Sequence, residues 1–517
     1  MPTLRWRAAG LPVPFREREG GEIECAPQCP VFEHGQVAAY VARMEIVQPE
    51  ALRVTRAHKA FQGCARALRS RSGTVGDLYM ESFMSDKVSC FWSHSWHGRT
   101  WMKILSLMMR YNGLPSVLVG SFTALIMMGL FAGGLLPEIS RSSWSHEHWS
   151  TWSLASGFIA AVITFLLWQP RQLVFFDRIC INENDDDEKF ASIFSLAGIL
   201  KRSDKMLVLW DATWGDRLWC LFELAAFVKS KHVSEQVLLI RPTFLGPCSI
   251  VLFGGMFLVM LPLTTVPIPD PARLGDYFIL IPLSGAMVFL FITGYFMVAA
   301  FRGYFRSVRA LQVKLRNISF DNTRCSCCDA GHVQDGTKIL CDRQIVKECV
   351  SIWFGSSEAF EDCVRSAVLE TLVAGLQERI FTRGWSLSVS VPLLWAFLDL
   401  TVSHAMGGHR IVAIAQLVEG LVLWFLCVPI FADVGMFFLR RYCQQGASTI
   451  HEILENVKVE LIGVACFCFV AGTWFFLCST RPGDERHAAA ALFAGVWGTL
   501  ALGHFMYKVL RKHGQER

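Results

Sequence analysis

The chain has 517 residues, of which 53% are apolar and 18% are charged, and its formal net charge is +5. A typical soluble domain has about 45–50% apolar and about 25% charged residues, so this composition favours a membrane protein. A net charge this small for the length gives no indication of nucleic-acid binding, and we expect no nucleic-acid partner.

The N-terminal segment, residues 1–85, begins with polar and charged residues rather than with the apolar core of a secretory signal peptide. Its Arg-, Glu-, Gly- and Pro-rich composition predicts a cytosolic segment that is partly disordered. The 18 cysteines of the chain are scattered rather than clustered as in a disulfide-rich secreted domain. We therefore expect the soluble parts of the chain to lie in a reducing, cytosolic environment.

Eight predominantly apolar stretches have about the length, roughly 20 residues, that a helix needs to cross the hydrocarbon core of a bilayer. Short polar links join them in pairs, which predicts four transmembrane hairpins. The predicted spans are 114–136, 152–168, 244–266, 277–301, 385–403, 411–439, 459–479 and 488–509. The second span, with about 17 residues, is at the lower limit for crossing.

The distribution of basic residues predicts the side of the membrane on which the soluble segments lie. The links within the hairpins carry only a few basic residues: Arg141, Arg273, Arg410, Arg481 and Arg486. The opposite flanks carry more, and basic residues near span ends are enriched on the cytosolic side. Both termini are therefore expected in the cytosol, together with the segments 302–384, 440–458 and 510–517.

Two pieces of chain on either side of the first hairpin, residues 86–113 and 169–243, predict one α/β module. They contain four short runs rich in Val, Leu, Ile and Phe that alternate with helical sequence. Such runs are typical of strands covered on both faces, and strands that alternate with helices form a parallel, doubly wound sheet. Because sequential strands are usually neighbours, the strand at 88–92 is expected beside the strand at 173–176. The first hairpin is then an insertion into the module.

The motifs of this module resemble those of the Toll/interleukin-receptor (TIR) domain. CFWSHSWHG resembles the first strand and loop of that family, and VFFDRICINEN resembles its second strand. MLVLWDATWGDRLWCLFELAAFV is similar to its third strand, followed by a turn and a helix that starts with Trp-Cys-x-x-Glu-Leu. The same segments look like those of a family of multi-pass membrane proteins from single-celled eukaryotes. A full TIR domain has a fifth strand and helix, whereas here the fourth strand leads directly into the third span.

The resemblance implies a candidate chemistry, because some TIR domains cleave NAD between nicotinamide and ribose. The essential glutamate of the family corresponds by position to Glu223, which would be the catalytic residue and whose carboxylate would stabilise an oxocarbenium-like transition state. Trp219 lies one helical turn earlier and would bind the nucleotide. NAD would be the substrate, and no resident cofactor is expected. The alternative is that Trp219 and Cys220 pack the helix on the sheet while Glu223 is solvated.

Two clusters of side chains in the sequence are of the types that bind metal ions. The acidic run 183–188 lacks the glycine and the spaced acids of an EF-hand loop, so the first turn of a helix explains it better. A second cluster contains a C-x-C-C group that differs from the usual zinc spacing: Cys325, Cys327, Cys328, His332 and Cys341. We therefore predict ordinary thiols and no metal. His94 and His97 are predicted to lie at the surface or at a sheet edge.

Ionisable residues inside the predicted spans bear on transport, because charges at membrane depth are costly and often mark functional sites. Four such residues are Asp399, Glu419, Asp433 and His504. Asp399 and Asp433 are close enough to span ends to reach the interface, and Glu419 is the most deeply placed.

These observations predict an α-helical multi-pass membrane protein with a split TIR-like cytosolic module. Its partners are the lipid bilayer and other proteins, including a second copy of the chain bound through the module. The leading interpretation is signalling through self-association or partner binding. The alternatives are an NAD-cleaving hydrolase that uses Glu223, and a transporter or channel with a regulatory cytosolic module.

Overall fold

The computed structural model describes residues 33–69, 78–138, 149–231, 234, 236–265, 280–334, 337–370, 381–444 and 448–478. The described chain is mostly helical, with a six-stranded mixed sheet and a two-stranded hairpin. It divides into two compact units. The sheet unit comprises Met1–Ile104, Gln169–Thr243 and Arg309–Arg379, and the helical unit comprises Leu105–Trp168, Phe244–Val308 and Ile380–Arg517.

The secondary structure follows in chain order. The strands are β1 Arg53–Arg56, β2 Phe83–Met84, β3 Cys90–His94, β4 Leu173–Phe175, β5 Met206–Trp210, β6 Leu238–Pro242, β7 Val333–Gln334 and β8 Thr337–Lys338. The α-helices are α1 His34–Val41, α2 Gln62–Arg69, α3 Thr100–Ala132, α4 Trp152–Leu167, α5 Asp177–Cys180, α6 Asp186–Phe194, α7 Leu196–Arg202, α8 Leu218–Ser230, α9 Leu245–Thr265, α10 Leu280–Arg316, α11 Ser326–Asp329, α12 Asp342–Phe354, α13 Ser357–Cys363, α14 Arg383–Met406, α15 Arg410–Val422, α16 Val428–Arg441 and α17 Thr449–Cys478.

The six-stranded sheet has the strand order β2-β1-β4-β3-β5-β6. The four strands β4, β3, β5 and β6 are consecutive in this order and pair in parallel. Because β3 precedes the first predicted hairpin and β4 follows it, their pairing joins the two pieces of chain into one sheet. The prediction that these two strands are neighbours is confirmed.

The N-terminal segment contributes more to the sheet than its composition indicates. β1 pairs antiparallel with β4 and with β2, so the sheet is mixed rather than wholly parallel. Residues 1–85 were expected to lie outside the module, but β1 and β2 belong to this range. Their sequences, RVTR and FM, are too short to predict strands, which form because β1 pairs with β4 and β2 pairs with β1.

The sheet is covered on both faces, as continuous apolar strands require. Every residue of β3 and β5 is buried, and the rings of Phe91 and Phe175 stack across neighbouring strands with centroids 5.1 Å apart. Helix α8 is buried along most of its length, because α7 and α12 pack against it. Helix α12 belongs to the segment 302–384, which was expected to be separate from the module.

The helical unit is built around α14, which packs against α4, α9 and α15. Trp395 of α14 is fully buried in a cluster with Ala124 and Leu154. A Cβ on Gly120 would lie 2.7 Å from the carbonyl oxygen of Gly157, so α3 and α4 approach closely through two glycines. Small residues at helix contacts are typical of membrane helices.

Among the residues that the structure describes, four helices are long and apolar enough to cross a membrane: Thr100–Ala132, Leu245–Pro262, Arg383–Met406 and the continuous run Arg410–Arg441. They overlap the first, third, fifth and sixth predicted spans. Helix α4, at the second span, has only 16 residues. Helices α10 and α17 overlap the fourth and seventh spans, and the eighth span lies outside the described residues.

Candidate functional site

The carboxyl ends of the parallel strands carry a group of polar side chains in the sheet unit. Ser93 and His94 end β3, and Asp211 follows β5 directly. In parallel α/β sheets these ends lie at one edge, which is where such folds usually bind ligands. We therefore take this edge as the candidate functional site.

Glu223 reaches this edge from α8. Its side chain is only 8% exposed, and the Ser93 hydroxyl donates a hydrogen bond to its Oε2 over 2.5 Å. The indole N–H of Trp214 in turn donates to the Ser93 hydroxyl over 2.9 Å. The three side chains form a buried chain of hydrogen bonds that runs from the loop after β5 to α8. The alternative in which Glu223 is solvated is wrong.

Burial raises the pKa of Glu223 to about 8, and the negative charge of Asp177 adds to this effect. The hydrogen bond from Ser93 and the charge of Arg217 act in the opposite direction, but they do not offset the loss of solvation. Glu223 is therefore mostly protonated at neutral pH. A buried carboxylic acid that stays neutral at pH 7 can act as a hydrogen-bond donor or as a general acid.

Trp219 occupies a different environment from Glu223. Its ring packs edge-on against Phe222 with centroids 5.6 Å apart. It also lines a small cavity with residues of α1, α6, α8 and α12, namely Val41, Ile193, Phe194, Phe222, Asp342, Ile345 and Val346. Glu223 is not among these lining residues, so the cavity of Trp219 does not include the candidate acid. The expected role of Trp219 in binding NAD stays a prediction.

A second polar group at the same edge centres on Asp211. The backbone N–H of Thr213 donates to Asp211 Oδ1 over 2.8 Å, and Lys103 Nζ lies 3.7 Å from Asp211 Oδ2. Lys103 Nζ also donates to the carbonyl oxygen of Ser95. A Cβ on Gly98 would lie 1.9 Å from Asp211 Oδ2, so glycine is required there. Sequence reasoning missed this group, although an aspartate directly after a buried strand, in LWDATW, was an available signal.

The two histidines after β3 differ in burial. His94 is 7% exposed and packs edge-on against Trp96 with centroids 4.4 Å apart. Burial lowers the pKa of His94 well below its usual value, and the charge of Lys103 adds to the effect. The prediction of a surface or sheet-edge position is therefore wrong for His94, because β3 is an interior strand. His97 is exposed, and its Nδ1 lies 2.8 Å from Arg217 Nη1.

The acidic run 183–188 forms the start of α6, as predicted. Asp185 is the N-cap residue, and its Oδ1 accepts hydrogen bonds from the backbone N–H groups of Asp187 and Glu188 over 3.0 and 2.9 Å. Carboxylates at this position satisfy amides that have no partner within the helix. The run is explained by helix capping.

Asp399 has a structural role in the helical unit. It is fully buried, and it accepts hydrogen bonds from the Ser150 hydroxyl over 2.7 Å and from the backbone N–H groups of Ser153 and Leu154 over 2.9 and 2.8 Å. Asp399 on α14 thus caps the N-terminus of α4. Its carboxylate is used inside the unit, and the expectation that it reaches the membrane interface stays a prediction.

The helical unit also contains a cavity of about 390 Å³ between α9, α10, α14, α16 and α17. Its lining is mostly apolar and includes Trp385 and Phe431. The acid among the lining residues is Glu460, which is 3% exposed and approached closely by Gly294. Glu419, the acid that the sequence singled out, is half-buried elsewhere. His504 lies outside the described residues.

Comparisons of the chain with protein-family models, with curated proteins and with solved structures found no match. The resemblance to the TIR family therefore rests on the quoted motifs, and membership in that family stays a prediction.

Proposed function

We propose that this chain is an integral membrane protein whose cytosolic sheet unit is TIR-like and acts by self-association or partner binding. The motifs that resemble TIR domains are the ones that form β3, β4, β5 and α8. The observation that favours a binding role over a catalytic one is the environment of the Glu223 side chain. Its carboxyl group is buried and bonded to Ser93, which favours a structural use of the acid.

The proposed topology has eight spans and both termini in the cytosol. It is supported by four helices of sufficient length and by the excess of basic residues on the flanks opposite the short links. A tag at either terminus should be protected when protease is added to sealed, intact cells. Cleavage of one tag alone would mean an odd number of spans, and the 16-residue helix α4 would be the first candidate for a helix that does not cross.

A contact surface for a second copy is proposed at the β2 end of the sheet. Within the described chain, β2 is the last strand on that side of the sheet. Three apolar side chains in or next to it are exposed: Met80 at 81%, Phe83 at 40% and Met84 at 59%. Exposed apolar residues at a sheet edge favour pairing with another chain.

Two differently tagged copies, coexpressed and solubilised in mild detergent, test this proposal. We expect one copy to co-precipitate the other, and Met84→Lys to reduce recovery several-fold. Ile352→Lys is the matched control, because Ile352 is 55% exposed on α12 of the same unit. Failure of the wild-type copies to associate would contradict self-association, whereas normal recovery with Met84→Lys would contradict only the β2 edge.

NAD cleavage is the second candidate function, and the position of Glu223 beside the carboxyl end of β3 favours it, because parallel α/β sheets usually bind ligands at that edge. Purified protein incubated with NAD should then release nicotinamide. Glu223→Gln should abolish the turnover, because an amide cannot supply a proton or a negative charge, while Glu188→Gln at an exposed acid should not. Turnover that survives Glu223→Gln would exclude this mechanism, and an inactive wild type would leave the binding role.

Transport is the third candidate, and the cavity beside Glu460 is the observation in its favour. An acid in an apolar cavity between membrane helices is a typical position for a proton-coupled site. Proteoliposomes with an enclosed pH-sensitive dye should then show proton flux that Glu460→Gln abolishes and Glu419→Gln does not. Equal flux with all three proteins, or none with the wild type, would count against a pathway through this cavity.

A further inference from the structure

The structure brings together the ligand atoms of four metal-ligating side chains whose sequence spacing differs from the usual zinc motifs. The thiols of Cys327, Cys328 and Cys341 and the imidazole of His332 offer one ligand atom each, and these atoms all lie within 4.8 Å of one another. The residues come from α11, from the turn after it and from the position directly before α12. A hairpin of β7 and β8 lies between His332 and Cys341 in the chain and returns the backbone to the cluster.

The separations within the cluster match those around a zinc ion. Zn–S bonds of about 2.3 Å in tetrahedral geometry place two sulfur ligands about 3.8 Å apart, and the sulfurs of Cys328 and Cys341 are 3.6 Å apart. The sulfurs of Cys325 and Cys327 are 3.0 Å apart, far beyond the roughly 2.05 Å of a disulfide. The cysteines are therefore reduced and grouped.

His332 provides an independent indication of a ligand. Its Nε2 is buried and has no hydrogen-bond partner among the described residues, which is rare for a buried polar atom. Its backbone has a φ of 58°, in the left-handed region that a non-glycine residue seldom adopts. Backbone hydrogen bonds from His332 N to Cys327 O and from Ile339 N to His332 O hold it there. A bound cation would give Nε2 the partner that it lacks.

We propose that Cys327, Cys328, His332 and Cys341 bind one Zn²⁺ ion with a structural role. Three cysteines and one histidine form a closed tetrahedral set of the kind that holds structural zinc. The adjacent pair Cys327 and Cys328 differs from the usual C-x₂₋₄-C spacing, but the fold brings the four ligand atoms within 4.8 Å of one another. Cys325, hydrogen-bonded to Cys327, lies next to the ligand set and orients it.

The proposed ion stabilises the contact between the segment 323–342 and the rest of the sheet unit. The backbone N–H of Arg324 donates to the carbonyl oxygen of Asp216 over 2.7 Å, and Asp216 belongs to the turn that contains Trp214. On the other side, the N–H of Cys341 donates to His34 Nε2 of α1 over 3.1 Å. Loss of the ion therefore loosens the turn whose Trp214 supports Ser93 and Glu223.

The test uses the full chain, purified in detergent from cells grown with added zinc. We expect about one zinc ion per chain by elemental analysis, as for a closed structural site. Cys328→Ser, Cys341→Ser and His332→Ala should each lose most of it. Cys64→Ser and Cys363→Ser, at thiols of the same unit outside the cluster, should retain it. Wild-type protein without zinc, or unchanged zinc content in the three ligand variants, would overturn the proposal.

A second measurement keeps the proposal testable when a ligand variant fails to fold. Wild-type protein in which Co²⁺ replaces the zinc should show thiolate-to-cobalt charge-transfer bands and the d–d bands of a tetrahedral site, and their absence would overturn it. Cys327→Ser should weaken these bands more than Cys325→Ser does. The reverse order would overturn the assignment of Cys327 as a ligand.

Discussion

Glu223 in the sheet unit and Asp399 in the helical unit are both buried, and they differ in how many donors surround their carboxyl groups. Asp399 in the helical unit accepts three hydrogen bonds, two of them from backbone amides. Glu223 in the sheet unit receives one, from Ser93. Each hydrogen bond donated to a carboxyl group favours its ionised form, and with one such bond the pKa of Glu223 is raised by burial to about 8. The number of donors distinguishes Asp399, which caps a helix, from Glu223.

The length of α4 gives this cap a further use under the proposed eight-span topology. A 16-residue helix is about 24 Å long, shorter than the roughly 30 Å hydrocarbon core. If α4 crosses the membrane as proposed, one of its ends lies inside the core, where backbone amides find no water. Asp399 supplies acceptors for two N-terminal amides of α4 from a neighbouring helix.

The largest effect is expected for Asp399→Ala, because it leaves two buried amides and the Ser150 hydroxyl without an acceptor. The expected loss is roughly 3–5 kcal/mol of the free energy of unfolding. The yield of monodisperse protein in detergent and the midpoint of thermal unfolding measure it. Asp433→Ala, at an exposed acid of the same unit, should change stability by no more than about 0.5 kcal/mol. Equal effects of the two substitutions would refute the capping role.

For Glu223→Gln we expect an effect that depends on pH. The pKa of Glu223 is 4.5 in the unfolded reference and about 8 in the folded protein, so the folded state binds the proton more tightly. As the pH rises from 4.5 to about 8, the free energy of unfolding of the wild type falls by at most about 1.4 kcal/mol per pH unit. Glutamine does not ionise, so the variant does not show this fall.

The variant should therefore unfold at the same temperature as the wild type near pH 5 and at a higher temperature near pH 9. Glu188→Gln, at an exposed acid, is the control and should follow the wild type throughout. Parallel pH profiles of the wild type and Glu223→Gln would show that the buried acid is ionised at neutral pH after all.

Ser93→Ala is expected to cost about 1–3 kcal/mol, because it leaves the buried indole N–H of Trp214 without an acceptor. In a double-mutant cycle with Trp214→Phe, the two losses should sum to more than the loss of the double variant, since both remove the same hydrogen bond. Thermal unfolding of the four proteins measures the coupling. Strictly additive losses would mean that the bond between Trp214 and Ser93 contributes nothing.

The smallest effect is expected for Asp185→Ala, the exposed counterpart of the Asp399 cap. Loss of an N-cap side chain costs about 1 kcal/mol, less than at Asp399 because water can reach the freed amides of α6. Asp186→Ala removes an exposed acid of the same turn and should cost less than Asp185→Ala. A cost at Asp185 as large as that at Asp399 would contradict the importance of burial in this comparison.

Several features of the fold could be predicted from the sequence. The four apolar runs that became β3, β4, β5 and β6, the pairing of β3 with β4, and the acidic start of α6 all follow from local patterns. The short strands β1 and β2 could not be predicted in this way, since their residues carry no apolar run. The packing of α12 on α8 was also missed, because an amphipathic helix does not reveal which surface covers its apolar face.

The sequence by itself determined where long apolar helices lie and which helix carries Glu223, because run length and the turn-to-helix motif are local properties. Only the tertiary structure decided that Glu223 is buried, since its donor Ser93 is 130 residues away in the chain. The same holds for Asp399, whose donors lie about 250 residues earlier. Burial and hydrogen-bond partners are set by segments that meet only on folding, and they decide the charge and the role of each polar side chain.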